Sequence, residues 1–421
     1  MSKNARDHRP YIRPVTRLEL SEKNIKFRWI AIVVLLAIAV VAIGNGFHAA
    51  LSTEPGWQEV TVYPEEVSCS ADFVLMYNFG AEDGANPTLQ YKQLENLYGE
   101  LTVSAYELFS PEAISSAGDN LQAVNASANQ PVKVDSKLYD ALELLVRYEN
   151  RHVFMAPVAE LYEAVFISEG DGEARAFDPM FDAERGALVQ ETAAYCSDPA
   201  HVSLEVLGDG QVQLNVSSDY LAFAQEHGIE TYLDFGWMTN AFIADYMAEA
   251  LTEGGYTYGY LVSYDGFTRN LDVTGGDYSI NFFDRQDHTI TMPARLSYSG
   301  PYSVVSLRDY PLSDQDRWHY YSYESGEITT VFLDPADGIS KSATDSLMAY
   351  SGDLGCGEIL LQIAPLFTAD NLDTDALTGL TGNSVYALWT EGSTVCHTQE
   401  DPSLTLLPNS GGEGYRLENV Q

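Results

Sequence analysis

Carboxylates placed beside tight turns are the chemistry-bearing feature of this sequence. Leu233-Asp234-Phe235-Gly236-Trp237-Met238-Thr239-Asn240-Ala241-Phe242-Ile243-Ala244-Asp245 reads as a strand end turning at Gly236 into a helix. A helix start leaves backbone N–H groups unpaired, a natural seat for phosphate or carboxylate. Asp234 and Asn240 flank that turn. A further carboxylate, Asp353, lies in Ser351-Gly352-Asp353-Leu354-Gly355-Cys356-Gly357, just before a helix. It is suited to cap that helix or to supply one oxygen ligand to a hard cation. Asp178-Pro179 and Asp334-Pro335 read as turns, because Asp caps and Pro fixes the backbone. The eight His residues are scattered without metal-ligand spacing, and P-loop, HExxH, GxSxG and GxGxxG patterns are absent.

The elements that must position these groups are helices and antiparallel strands in mixed order. Ala71–Asn78 suits a strand, and Leu94, Leu97, Leu101, Ala105 and Leu108 fall at helical spacing. Residues 110–130, rich in Ser, Ala, Asn and Gly, read mostly as loop. Asp135 or Ser136 caps a helix through Leu138, Leu142 and Leu145, Pro157 starts another, and 184–195 is a third. Residues 202–207 and 212–216 read as a hairpin, and a Tyr-rich β region follows Gly254-Gly255. Those Tyr strands read as packed sheet, with a sugar platform as the alternative. Without a βαβ rhythm, the fold class is α+β: one large mixed helix/antiparallel-sheet domain.

Charge and hydropathy bound where the domain works. Residues 1–28 hold eight Lys/Arg and three acids, leaving 14 of the 22 basic and 58 of the 61 acidic residues beyond, a net of −44. A body of that charge repels nucleic acid. Trp29–Ala50 reads as a transmembrane helix about 33 Å long, with basic residues before it and acidic ones after. The positive-inside rule puts the N-terminus in the cytoplasm and the body outside. A cleaved signal peptide is the alternative, although its sites put Phe47 or His48 where a small residue is wanted. The expected organisation is a basic tail over 1–28, an anchor over 29–50, a linker over 51–67, the domain over 68–400 and a tail over 401–421. Cys69, Cys196, Cys356 and Cys396 form disulfides in one of three pairings or remain buried thiols.

The order of these features resembles the ApbE-type FAD:protein FMN transferases. Residues 119–126 resemble that family's "SEISRLNA" segment, and Val132-Lys133-Val134 with the following helix its "pVkVs" unit. Phe154, Val158 and Leu161 stand where the family writes "GAFDPTVGPL". The 233–245 stretch is similar to "LDLGGIAKGYAAD", keeping Asp234, Gly236 and Asp245. Asp265-Gly266 stands near the family's paired glycines, Ser299-Gly300-Pro301-Tyr302 resembles "SGxY", and 333–338 resembles "HIIDPxTG". The resemblance implies an ApbE-type fold over 68–400. It also implies an activity that splits the FAD pyrophosphate with magnesium and moves FMN to a Ser or Thr of an exported acceptor protein. Asp234, Asn240 and Phe154 would then contact the flavin nucleotide, and Asp353 the metal.

The departures from the family bear on that chemistry. Asn240 stands where the family has Lys, Trp237 and Ala241 where it has Gly, Met155 where it has Asp, and Val331 where it has His. Cys356 and Gly357 replace oxygen-bearing partners of Asp353. Phosphoryl transfer rests on positioning and on charge stabilisation by metal, cations and N–H donors. The expectation is an exported, membrane-anchored ApbE-like protein with an eroded site. An active transferase and an unrelated cell-surface binding domain are the alternatives.

Overall fold

The computed structural model describes residues 53–82, 84–286, 289–313, 316–400, 402–408 and 414–420. Along the chain, β1 (Gly56–Val60) and β2 (Phe73–Phe79) precede α1 (Pro87–Phe109), α2 (Leu121–Ala126), β3 (Pro131–Lys133) and α3 (Ser136–Arg147). Next come α4 (Ala156–Phe166), α5 (Asp171–Phe177), α6 (Ala183–Ser197), the hairpin β4 (Val202–Gly208) and β5 (Gln211–Val216), α7 (Ser218–His227) and α8 (Thr239–Glu253). The β-rich half holds β6 (Gly259–Ser263), β7 (Phe267–Asn270), β8 (Asp277–Gln286), β9 (Thr289–Ser299), β10 (Ser303–Arg308), β11 (Tyr320–Ser322), β12 (Ile328–Thr330) and β13 (Ser346–Ser351). It closes with α9 (Cys356–Phe367), α10 (Thr374–Gly379), β14 (Tyr386–Glu391), β15 (Thr394–His397), β16 (Leu404–Leu406) and β17 (Arg416–Asn419).

Period-two burial builds the central layer, a nine-stranded sheet of order β1-β2-β6-β7-β10-β13-β14-β15-β17. Neighbours are antiparallel except β15 and β17. On β13, Leu347 and Ala349 join the main core, whereas Met348 and Tyr350 join a second, smaller one. The β16-β9-β8 sheet supplies that second core with Phe282, Ala294 and Leu296. Helices cover the other face. The central one, α8, buries Ala241, Phe242, Ile243, Ala244, Met247, Ala248 and Leu251 and packs on α1, α9, β6 and β7. Its small residues at helical spacing let neighbouring backbones come close.

Several elements differ from the sequence reading. No strand precedes Gly236; the chain is irregular there and enters α8 through a 3-10 turn, Gly236–Met238. The 110–130 region contains α2, capped by Asn120, whose side chain accepts from Ala123 N–H. The domain runs wider than 68–400, as a compact unit over 54–421. The expected linker contributes the edge strand β1, and the expected tail contributes β16 and β17. Tyr415 reaches back to donate to buried Asp284 at 2.7 Å, which also accepts from Thr390 at 2.6 Å. The four cysteines are buried free thiols. Among the described residues no helix is long and apolar enough to cross a membrane, and the expected 1–28 tail and 29–50 span lie outside them.

A chain ended at residue 400 is expected to lose about 2 kcal/mol or more of stability, because buried Asp284 keeps only one of these two partners. A urea midpoint equal to that of the full chain would show residues 401–421 to be an appendage.

Candidate functional site

The corner at residues 232–240 is held by a side chain from far upstream. Asn125, at the end of α2, accepts from Tyr232 N–H at 3.0 Å and Leu233 N–H at 2.9 Å, and donates to the Leu233 carbonyl at 2.8 Å. Asp234 N–H donates to the Val153 carbonyl at 2.8 Å. Gly236 then takes φ +55°, a left-handed conformation that costs glycine little and most side chains more. Burial raises the Asp234 carboxyl above its ordinary pKa, opposed by the N–H groups of Gly236 and Phe235.

Trp237 turns inward. Its half-buried ring meets Phe332 edge-on at 5.0 Å and His152 at 5.9 Å. Phe332 follows Val331, the position given to a histidine by the resemblance, so apolar packing occupies this side of the corner. His152 accepts or donates across 3.0 Å to Thr368 Oγ1, and burial lowers its imidazole to about 4, with Asp334 opposing.

Asn240 is engaged as well. Its amide donates to Asp265 Oδ2 at 2.9 Å. Asp265 Oδ1 is buried without a hydrogen-bond partner among the described residues. Burial raises the Asp265 carboxyl, with His319, Ser263 and Asn240 opposing. The corner therefore carries two carboxylates, Asp234 and Asp265, and an amide in place of a cation.

Asp353 stands next to the corner, across Phe109 and Phe242, which pack on Phe235 at 5.5 and 4.6 Å. It is exposed, on the rim of a cleft of about 360 Å³ whose walls include Asp245, Arg269, Lys137, Pro301 and Glu358. Asp234, Asn240 and Phe154 do not line that cleft. Asp245 accepts from Cys356 N–H and Gly357 N–H, both at 2.8 Å, and pairs with Arg269 at 3.1 Å. A carboxylate so placed satisfies orphan donors of α9 and complements its dipole. Gly355 makes the approach possible, since a Cβ there would sit 2.4 Å from Asp245 Oδ2. Among the described residues no group of three His, Cys, Asp or Glu could hold a metal ion. Phe154 is 4% exposed and its ring is covered by the Arg151 guanidinium at 4.2 Å, while the carbonyl of its neighbour Val153 accepts from Asp234 N–H. The sequence shows Asn125 only as part of the 119–126 segment and carries no signal for Arg269 or His319. Their partners lie 24 or more residues away, and no local pattern joins them.

No protein-family profile matches the chain, and no curated protein matches it by sequence. Solved structures do resemble it. The ApbE protein of Thermotoga maritima superposes with a TM-score of 0.53 at 12% identity, over 79% of this chain and 94% of that one. The fold is ApbE-like. Flavin transferase ApbE from Vibrio cholerae agrees, with a TM-score of 0.51 at 12% identity over 85% of this chain and 98% of that one. A single-residue mutant of that transferase gives 0.50 at 13% identity over 83% and 98%. The ApbE-like fold thus accounts for the α+β domain, while the identities are too low to carry residue roles.

Two outcomes follow from this geometry. Asn125→Ala removes three hydrogen bonds that fix the ApbE-like corner and is expected to cost about 2–4 kcal/mol, read from denaturant unfolding. His152 stays neutral in the folded chain, whereas the unfolded chain takes up a proton below pH 6.5. Its contribution is therefore lost as pH falls from 6.5 toward 4. His152→Gln should flatten the stability–pH slope in that window by up to about 1.4 kcal/mol per pH unit. Parallel slopes for the two proteins would contradict the buried neutral imidazole.

Proposed function

We propose that this chain is an exported, membrane-anchored relative of the FAD:protein FMN transferases in which group transfer is weak or lost. The observation that carries the reading is the hydrogen bond from Asn240 to Asp265 at 2.9 Å, standing where the family resemblance calls for a lysine. Splitting a pyrophosphate develops negative charge, and a single preorganised donor is typically worth about 3–4 kcal/mol of barrier. The corner instead commits the Asn240 amide to the Asp265 carboxyl, with Trp237 packed against Phe332 and His152.

Magnesium fits these residues poorly. Asp245 is committed to Arg269 and the start of α9, Glu249 to Lys137 and Glu358 to Arg147 and Tyr148, and among the described residues no three His, Cys, Asp or Glu side chains come together with Asp353 as the oxygen set a hard cation takes. No step through the metal is assigned. Asp234 and Asn240 are the groups assigned to the flavin nucleotide, as acceptors for its ring or ribose donors through the Asp234 carboxylate and the Asn240 side-chain oxygen. Phe154 is set aside from that role because Arg151 covers its ring. The Vibrio cholerae neighbour is a flavin transferase by name, and that activity comes to this chain only as the alternative reading.

The deciding experiment incubates the full-length protein with FAD, with and without Mg²⁺, and follows retained flavin, AMP release and covalent flavin on a Ser/Thr acceptor. Retained flavin without AMP release is expected. Stoichiometric AMP release would restore the active transferase, and no retained flavin at millimolar FAD would leave a cell-surface binding domain. Asn240→Lys is expected not to rescue AMP release, because the metal site is deficient as well; full rescue by that change would overturn the account of the metal.

A further inference from the structure

We infer that the Tyr-rich face of the β half is a binding site for a neutral oligosaccharide, separate from the corner and the cleft described above. The sheet brings aromatic rings into one continuous run. Tyr278 on β8 and Tyr298 on β9 are direct cross-strand partners, with nearly parallel rings 18° apart and centroids at 6.1 Å. Tyr302 continues from Tyr298 at 5.2 Å and rests at 6.3 Å on Tyr350, a buried residue of the second core that backs the run. At the other end Trp57 lies 6.0 Å from Tyr278 and is 46% exposed. A ring thus recurs every 5–6 Å across a groove of about 680 Å³, within the usual size of small-ligand sites.

The chemistry of the groove fits a pyranose chain. Aromatic faces are electron-rich and attract the weakly positive C–H face of a sugar ring, while the sugar hydroxyls need polar partners around the rim. Ser297, Gln399 and Ser403 line the groove beside the rings and supply them. Two rings are fixed in orientation, since Tyr278 OH donates to Asp272 at 2.8 Å and Tyr350 OH to Gln399 at 2.5 Å. Fixed rings lower the ordering cost of binding. An extended peptide is the poorer match. Its affinity would come from main-chain pairing, and β9 already lies between β16 and β8, with Ser297 N–H spent on the Ser403 carbonyl at 2.9 Å. The net charge of −44 beyond residue 28 disfavours a polyanionic sugar, which leaves a neutral glycan.

The test is calorimetric titration of the full-length chain with neutral hexasaccharides of glucose, mannose and N-acetylglucosamine, beside hyaluronan and a proline-rich peptide. At least one neutral hexasaccharide is expected to bind, with no heat from hyaluronan. Tyr298→Ala should weaken binding at least about tenfold. Because that change removes a packed ring, Ser297→Arg serves as the second variant: an exposed strand position whose bulk fills the groove, expected to abolish binding with an unchanged melting temperature. Silence from every neutral hexasaccharide, binding that survives Ser297→Arg, or binding of the proline-rich peptide alone would overturn the assignment.

Discussion

The Asp245 carboxylate is the constraint on which the arrangement of this domain depends. It leaves the central helix α8, reaches the first N–H groups of α9 and meets Arg269 on β7. Three elements from separate parts of the chain are thereby fixed by one charged group. A partly buried carboxylate is costly unless its lone pairs and charge are matched, and here a helix start and a guanidinium match them. The same commitment has a chemical consequence. A carboxylate spent on holding the fold together is not free to ligate a cation, so the cleft beside it keeps Asp353 without a metal-binding partner set.

The corner at the start of α8, about two turns before Asp245, follows a similar logic. Asn125 supplies the hydrogen bonds that an irregular backbone would otherwise lack, which lets Tyr232 and Leu233 run buried without a strand partner. Trp237 and Phe332 then fill space with apolar surface, and Asn240 answers Asp265. Each of these is a stabilising interaction within the protein. Together they leave a corner whose polar and apolar groups are satisfied from within the fold.

Much of the architecture was legible in the residue pattern. The amphipathic helices α1, α3, α4 and α6 and the β4–β5 hairpin carry their spacing on their surface. Elements without a one-sided pattern escaped. β13 is buried on both faces and so shows no alternation, and β16 and β17 are three and four residues long. The strand expected before Gly236 is absent for a related reason: Leu233 and Phe235 are buried like strand residues, but a side chain, Asn125, pairs the backbone of Tyr232 and Leu233.

The sequence by itself determined the α+β class, the charge of the body and the likeness to ApbE proteins, because composition, period and motif order are properties of the chain. It also named the substitutions Asn240, Trp237 and Val331. Only the tertiary structure decided what those residues do. Pairings such as Asn240 with Asp265, Asp245 with Arg269 and α9, and Tyr278 with Tyr298 join positions 20 or more residues apart. Their energies depend on distance and burial, and neither exists until the sheet brings the strands together.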